Sequence, residues 1–195
     1  MDQQNILDMP DDRRWLFLDD VFISNSISAA FGRNKNYKKP KPEDAAFHVG
    51  RVLKDELHKL AACYYGPEEQ SPVGPEEHIQ KIAALVEAIK RSSCAVYLED
   101  GGLRFGVAHK ALNVYLKFLW CERRIPMPPH CPFDRTMLLE TLTLPRDCNG
   151  DWTKGTEDDY CKWITAAKVA AGDEPLARWE LNLYTPLSVT LEQTA

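Results

Sequence analysis

Residues 107–121, VAHKALNVYLKFLWC, constrain this chain more than any other stretch. Helical spacing spreads Val107, Ala108, Ala111, Leu112, Val114, Tyr115, Leu116, Phe118, Leu119 and Trp120 around most of one circumference. A helix apolar nearly all round is a buried helix. Its polar residues share one narrow stripe: His109, Asn113 and Lys117 fall at i, i+4 and i+8, with Lys110 beside them. An unpaired buried ammonium is costly. Two lysines survive on such a helix only where the stripe meets water, a cleft or a bound anion. The rest of the chain reads as support for this helix.

That support is helical. Trp15 to Leu18 and Val21 to Ile23 carry apolar bulk that docks as a helix, with a strand left open, and Ser24 to Pro42 reads as a polar, basic loop. Pro42, with Glu43 and Asp44 in the first turn, opens a helix whose apolar face is Ala45, Val49, Val52, Leu53, Leu57, Leu60 and Tyr64. His48 and His58 fall at its surface or boundary. Gly66 to Gly74 is a linker. Pro75-Glu76-Glu77 starts a helix with Ile79, Ile82, Val86 and Ile89 inward, stopping near Ser92. Asp100-Gly101-Gly102 between apolar flanks signals a hairpin or a tight turn between helices. Thr156 with Asp159 has the spacing of a helix cap, ahead of an inner face of Tyr160, Trp163, Ile164 and Ala167 that Gly172 ends. Pro175 begins a last helix with Leu176, Trp179 and Leu183 inward. The expected fold is one all-α domain over residues 1–195, compact and two-lobed around the buried helix 107–121. It leaves room for one short β-hairpin at 95–105, a loose arm over 1–12 and an irregular tail over 186–195.

Hydrophobic content of 44% with 27% charged residues suits a globular domain. No apolar run reaches membrane-spanning length, and the acidic start lacks a signal-peptide pattern, which points to the cytoplasm. The six cysteines form no C-x-x-C pair, so free thiols are expected. His130 and Cys131 are adjacent ligand types without a second pair nearby, and no metal or cofactor is expected. Net charge is −5, yet between Leu103 and Leu139 six basic residues face only Glu122 and Asp134. A second basic run holds Arg33, Lys35, Lys38, Lys39 and Lys41, while acids gather at Glu68–Glu69, Glu76–Glu77 and Glu157–Asp159. A locally positive surface on an acidic protein is compatible with phosphate binding.

After the central helix, Ile125 to Pro132 is a stiff extended connection. Asp134 then heads the run Met137-Leu138-Leu139, a helix expected to reach about Leu142, where its carboxylate suits an N-cap. Two readings follow. One is a core helix, a rigid loop and a capped helix; the other sets Lys110 and Asp134 facing each other across a site.

Gly106-Val107 leading to Lys110, continued by Asn113-Val114 and Leu116 and closed by Pro132-Phe133-Asp134, resembles the helix-hairpin-helix DNA glycosylases. This is the superfamily of endonuclease III and the 8-oxoguanine glycosylases, and the similarity is greatest to the archaeal branch. It covers residues 105–135, with Ala108 where the second glycine of the turn is usual. The resemblance implies a duplex DNA partner whose damaged base is flipped into a pocket. It implies Lys110 as the Schiff-base nucleophile and Asp134 as the carboxylate that stabilises the cationic sugar. The amides of Gly106, Val107 and Ala108 would hold a phosphate, with Arg104, Lys117, Arg123, Arg124 and Arg135 along the DNA backbone. Trp120, Phe133 and Trp152 are the aromatics nearest in sequence for stacking on a flipped base. The competing expectation is a non-catalytic helical module that binds nucleic acid or a protein through the same basic face.

Overall fold

The computed structural model describes residues 11–32, 36–66 and 71–184. Among the described residues there are six α-helices: α1 (Asp11–Phe31), α2 (Ala45–Ala61), α3 (Pro75–Arg91), α4 (Phe105–Cys121), α5 (Glu157–Ala171) and α6 (Leu176–Tyr184). Short 3-10 turns follow α2 and α3 and precede α5, and a π-helical turn spans Met137–Thr141. No strand occurs among the described residues, so the fold is all-α. The arm over residues 1–10, Arg33, Lys35, Glu68, Glu69 and the tail after Pro186 lie outside the described residues.

The expected burial of the central helix is met by α1, α2, α3 and α5, which all pack on α4. Buried residues run around α4 from Gly106 to Leu119. One cluster of buried side chains draws on all six helices. The inner faces follow the helical period: Ala45, Val49, Leu53 and Leu57 on α2, and Tyr160, Trp163, Ile164 and Ala167 on α5. A reciprocal capping box starts α5, with Asp159 N–H on Thr156 Oγ1 at 3.2 Å and Thr156 N–H on Asp159 Oδ2 at 3.0 Å.

Two regions differ from expectation. Helix α1 runs past Ile23 to Phe31, where the sequence suggests a loop from Ser24. Ile23, Ala30 and Phe31 are buried and Ile27 packs against them. The serine run is tolerated because Ser26 O–H donates to the Phe22 carbonyl one turn back, at 2.7 Å. Where a hairpin had room, Ser93–Tyr97 forms a 3-10 turn and Gly101 reverses the chain at φ 64°. Leu98 pairs instead with Tyr37 in a single antiparallel bridge.

Both ends of α4 are fixed by backbone contacts. At its start, Gly106 N–H donates to Gly155 O at 3.0 Å, and a Cβ on Gly106 would lie 1.7 Å from the Trp152 carbonyl oxygen. Only glycine lets the Trp152–Gly155 segment approach this closely. At its end, Arg123 N–H bonds Trp120 O and Arg124 N–H bonds Leu119 O, each at 2.8 Å. This is the Schellman closure, with Arg123 at φ 56° where glycine is usual.

Gly106→Ala should therefore lower stability by about 3 kcal/mol, read as a fall in the urea midpoint. Gly50→Ala in α2, whose Cβ would meet nothing within 4 Å, should raise it by about 0.5–1 kcal/mol. Arg123→Gly relieves the left-handed backbone and should add about 1 kcal/mol.

Candidate functional site

Lys110 enters the site from the second turn of α4, with only 9% of its surface exposed. Its Nζ lies 3.4 Å from Asp134 Oδ2 and 4.8 Å from the centroid of the Trp152 ring. Burial pushes the amine below the ordinary lysine value, and the Asp134 charge pulls it back up. The second carboxylate oxygen of Asp134 is engaged elsewhere, since Oδ1 accepts the Met137 N–H at 3.0 Å. Asp134 is therefore a cap and a partner of Lys110 at once, one oxygen for each. The turn it caps passes into the π-helical Met137–Thr141, closed by Leu142 N–H on Met137 O at 3.0 Å. Such turns recur at functional sites.

Beside this pair opens a cleft of about 580 Å³. Asp134, Arg135, Thr136 and Leu139 line it together with Gly150 to Thr153, Ala29 and Gly32. The Trp152 wall is held by Asp151, whose Oδ1 accepts the Thr153 N–H at 3.1 Å and the Thr153 O–H at 2.6 Å.

Two turns along α4, Lys117 Nζ lies 2.6 Å from Glu180 Oε2 on α6. Glu180 is 4% exposed; burial raises its carboxyl above the usual range, and Lys117 opposes this. Both lysines of the stripe thus meet a carboxylate brought by another segment.

The other half of the stripe faces inward. His109 is fully buried, and its Nε2 accepts the Phe133 N–H at 3.2 Å. Asn113 Nδ2 donates to the Cys131 carbonyl at 3.1 Å and to Tyr160 Oη at 3.0 Å. Tyr160 Oη pairs with His130 Nδ1 at 3.2 Å, and Tyr64 Oη with His78 Nδ1 at 2.6 Å. The His78 and His130 rings meet edge to face, 4.9 Å apart. At His109 the bonded nitrogen accepts a backbone N–H, which only the neutral ring can do. Burial pushes His78 down to about 4, His109 to about 3 and His130 to about 2. His130 is thus a member of this network, and Cys131 beside it is a buried thiol.

The other expected site residues divide. Arg135 is exposed on the cleft wall, and Trp152 alone of the three aromatics lines the cleft. Phe133 is fully buried against His109, Tyr160 and Trp163, and Trp120 packs against the core, so neither is placed to stack on a base. Gly106 N–H is taken by Gly155, and Val107 and Ala108 N–H by Arg104 O, so these amides do not form an open phosphate site. Arg104 is bound to Asp100 at 2.7 Å and Glu99 at 3.1 Å. The Arg124 guanidinium sits 4.1 Å over the Trp15 ring. Arg123 is exposed at the α4 terminus, and Lys117 is turned toward Glu180.

Sequence reasoning missed Glu180 and His78. Each carried a signal, a polar residue at an inner-face position: Glu180 four residues after Leu176, and His78 four before Ile82. No protein-family model, curated protein or solved structure matches the chain.

The histidine network makes stability depend on pH with a definite sign. All three folded values lie below the unfolded 6.5, so the unfolded chain binds more protons as pH falls. Their contribution is whole above 6.5 and is lost progressively as pH falls from 6.5 through the folded values of about 4, 3 and 2, each ring losing up to about 1.4 kcal/mol per pH unit. Urea midpoints should drop steeply between pH 7 and 5. His130→Asn, whose Oδ1 can replace Nδ1 as acceptor, should flatten that dependence; an unchanged slope would remove His130 from this account.

Proposed function

We propose that this protein is a base-excision enzyme of the DNA glycosylase/AP lyase kind, with Lys110 as its Schiff-base amine. The observation that carries the reading is the position of Lys110: a buried amine, biased toward its neutral form, 3.4 Å from a carboxylate at the edge of an open cleft. A solvated surface lysine is a poor nucleophile at neutral pH because it stays protonated. Here desolvation supplies the bias that amine chemistry needs.

In the proposed mechanism the damaged nucleotide turns out of the duplex into the cleft, with its base against Trp152. The Lys110 lone pair attacks the sugar C1′ as the glycosidic bond breaks, and the base leaves with the bonding electrons. Asp134 Oδ2 faces the positive charge that develops on the sugar. Ring opening gives a protonated Schiff base between Lys110 and C1′. Loss of a C2′ proton then expels the 3′ phosphate by β-elimination, and hydrolysis returns the amine.

Borohydride reduction on duplex oligonucleotides bearing an abasic site or damaged bases should trap a covalent adduct that Lys110→Ala abolishes. Asp134→Asn separates the two roles of the carboxylate: its Oδ1 still caps Met137, while trapping slows about 100-fold. The trapping rate should rise with pH to a midpoint below the ordinary lysine value. Absence of any adduct, abasic DNA included, would overturn the mechanism.

A non-catalytic module is favoured by one specific observation, the internal engagement of Arg104, Arg124 and Lys117. Cations already paired release few counterions from DNA, so this reading expects weak affinity with a shallow salt dependence and no trapping.

A further inference from the structure

The inner face of α6 carries a buried carboxylate that the proposed chemistry does not use. Glu180 stands among Leu176, Ala177 and Trp179, all buried, where an unpaired charge is expensive. Its partner Lys117 lies seven residues beyond Lys110, about 10 Å along the same side of α4. Four charges thus line up across three segments, with the two cations at the centre and a carboxylate at each end: Asp134, Lys110, Lys117, Glu180. The remaining charged groups at the cleft are Arg135, exposed beside Asp134, and Asp151, turned toward Thr153 and Lys154. Helix α1 adds no charge to the cleft lining, only Ala29. The neighbouring His109 is neutral in its buried network.

We infer that Glu180 is a positioning residue for the site: by holding the Lys117 charge in check, it sets the reactivity of the Lys110 amine and makes α6 part of the functional unit. The inference rests on the reading of Lys110 as the reacting group. Opposing charges balance at Lys110. Asp134 favours the Lys110 ammonium, and a bare cation at Lys117 would disfavour it; a neutralised Lys117 leaves Asp134 the dominant partner. Glu180 and Lys117 both act on Lys110 through the low-dielectric helix packing, in opposite senses.

The consequence is a sign that ordinary destabilisation does not produce. Glu180→Gln removes the charge that balances Lys117, so Lys110 should lose its proton more readily and its titration should move to lower pH by about one unit. Glu180→Asp withdraws the charge by one methylene and should give the same sign at smaller size, which covers the case in which the Gln variant fails to fold. The double variant Lys117→Gln/Glu180→Gln removes both charges of the pair, yet should return Lys110 close to its original midpoint. The measurement is a pH titration of the lysine side-chain resonances in isotopically labelled protein, with Lys110 assigned through Lys110→Met. Borohydride trapping on abasic DNA is run in parallel against pH. Matching shifts in both experiments support the inference. A Lys110 resonance that moves as expected without any trapping retains the electrostatic role and removes the glycosylase reading. A Lys110 midpoint unmoved by Glu180→Gln and Glu180→Asp, or a double variant displaced as far as the single one, overturns the inference.

Discussion

Helix α4 can be buried because each of its two inward-leaning ammonium groups is met by a carboxylate from elsewhere in the chain. Burying an ion costs several kcal/mol unless a partner and further bonds compensate. Lys110 finds Asp134 across the proline-rich connection, and Lys117 finds Glu180 on the last described helix. Neither partner is local: Lys117 and Glu180 are 63 positions apart. The ion pairs therefore tie the order of the chain to the burial of its centre. Segment 125–134 must fold back along α4, and α6 must dock with Glu180 inward, before α4 can be enclosed without leaving a charge unanswered.

Adjacent positions on α4 solve the problem of a buried titratable group in opposite ways. At His109 the surroundings are aromatic, with Phe133, Tyr160 and Trp163 rings within 6.0 Å of the imidazole, and the ring gives up its charge. At Lys110 a carboxylate stands close and the Trp152 ring faces the amine, so the charged form keeps support. The step of about 100° between successive helix positions is what separates these environments. His109 accepts the backbone N–H of Phe133 and so fixes the residue preceding Asp134. The neutral network thus positions the charged pair: the inward side of the stripe sets where the cleft side finds its partner.

The sequence exposes those parts of the fold that depend on nearest neighbours. Thr156 and Asp159 give the start of α5, Pro75 the start of α3, and the apolar period gives the inner faces of α2 and α5, because caps and periods act within a turn or two. Helix α1 is harder to read beyond Ile23. Serine favours turns in isolation, and only the packed helix shows Ser26 turning its hydroxyl onto Phe22. Lys110 and Asp134 stand out in the sequence as residues needing a cleft and a helix start, and they lie 3.4 Å apart. Glu180 and His78 are invisible as partners, since nothing local pairs α6 or α3 with α4. The aromatics show the same limit: Phe133 adjoins Asp134 in sequence but turns into the core, whereas Trp152 reaches the cleft from 18 positions away.

How Trp152 arrives there is a matter of glycines. Gly106 admits the Trp152 carbonyl, and Gly155 admits the Trp163 ring, whose nearest carbon would lie 2.1 Å from an added Cβ. The segment between Asp151 and Gly155 is therefore clamped at both ends, onto the start of α4 and onto α5. A side chain at either glycine would displace the whole turn, and with it the indole over Lys110. In this structure the glycine of the Gly106-Val107 pair serves close packing, since its amide bonds Gly155 O and its missing Cβ makes room for protein backbone. The motif that draws attention in the sequence thus supports the site from behind, by seating the Trp152 ring that meets Lys110 and lines the cleft beside Asp134.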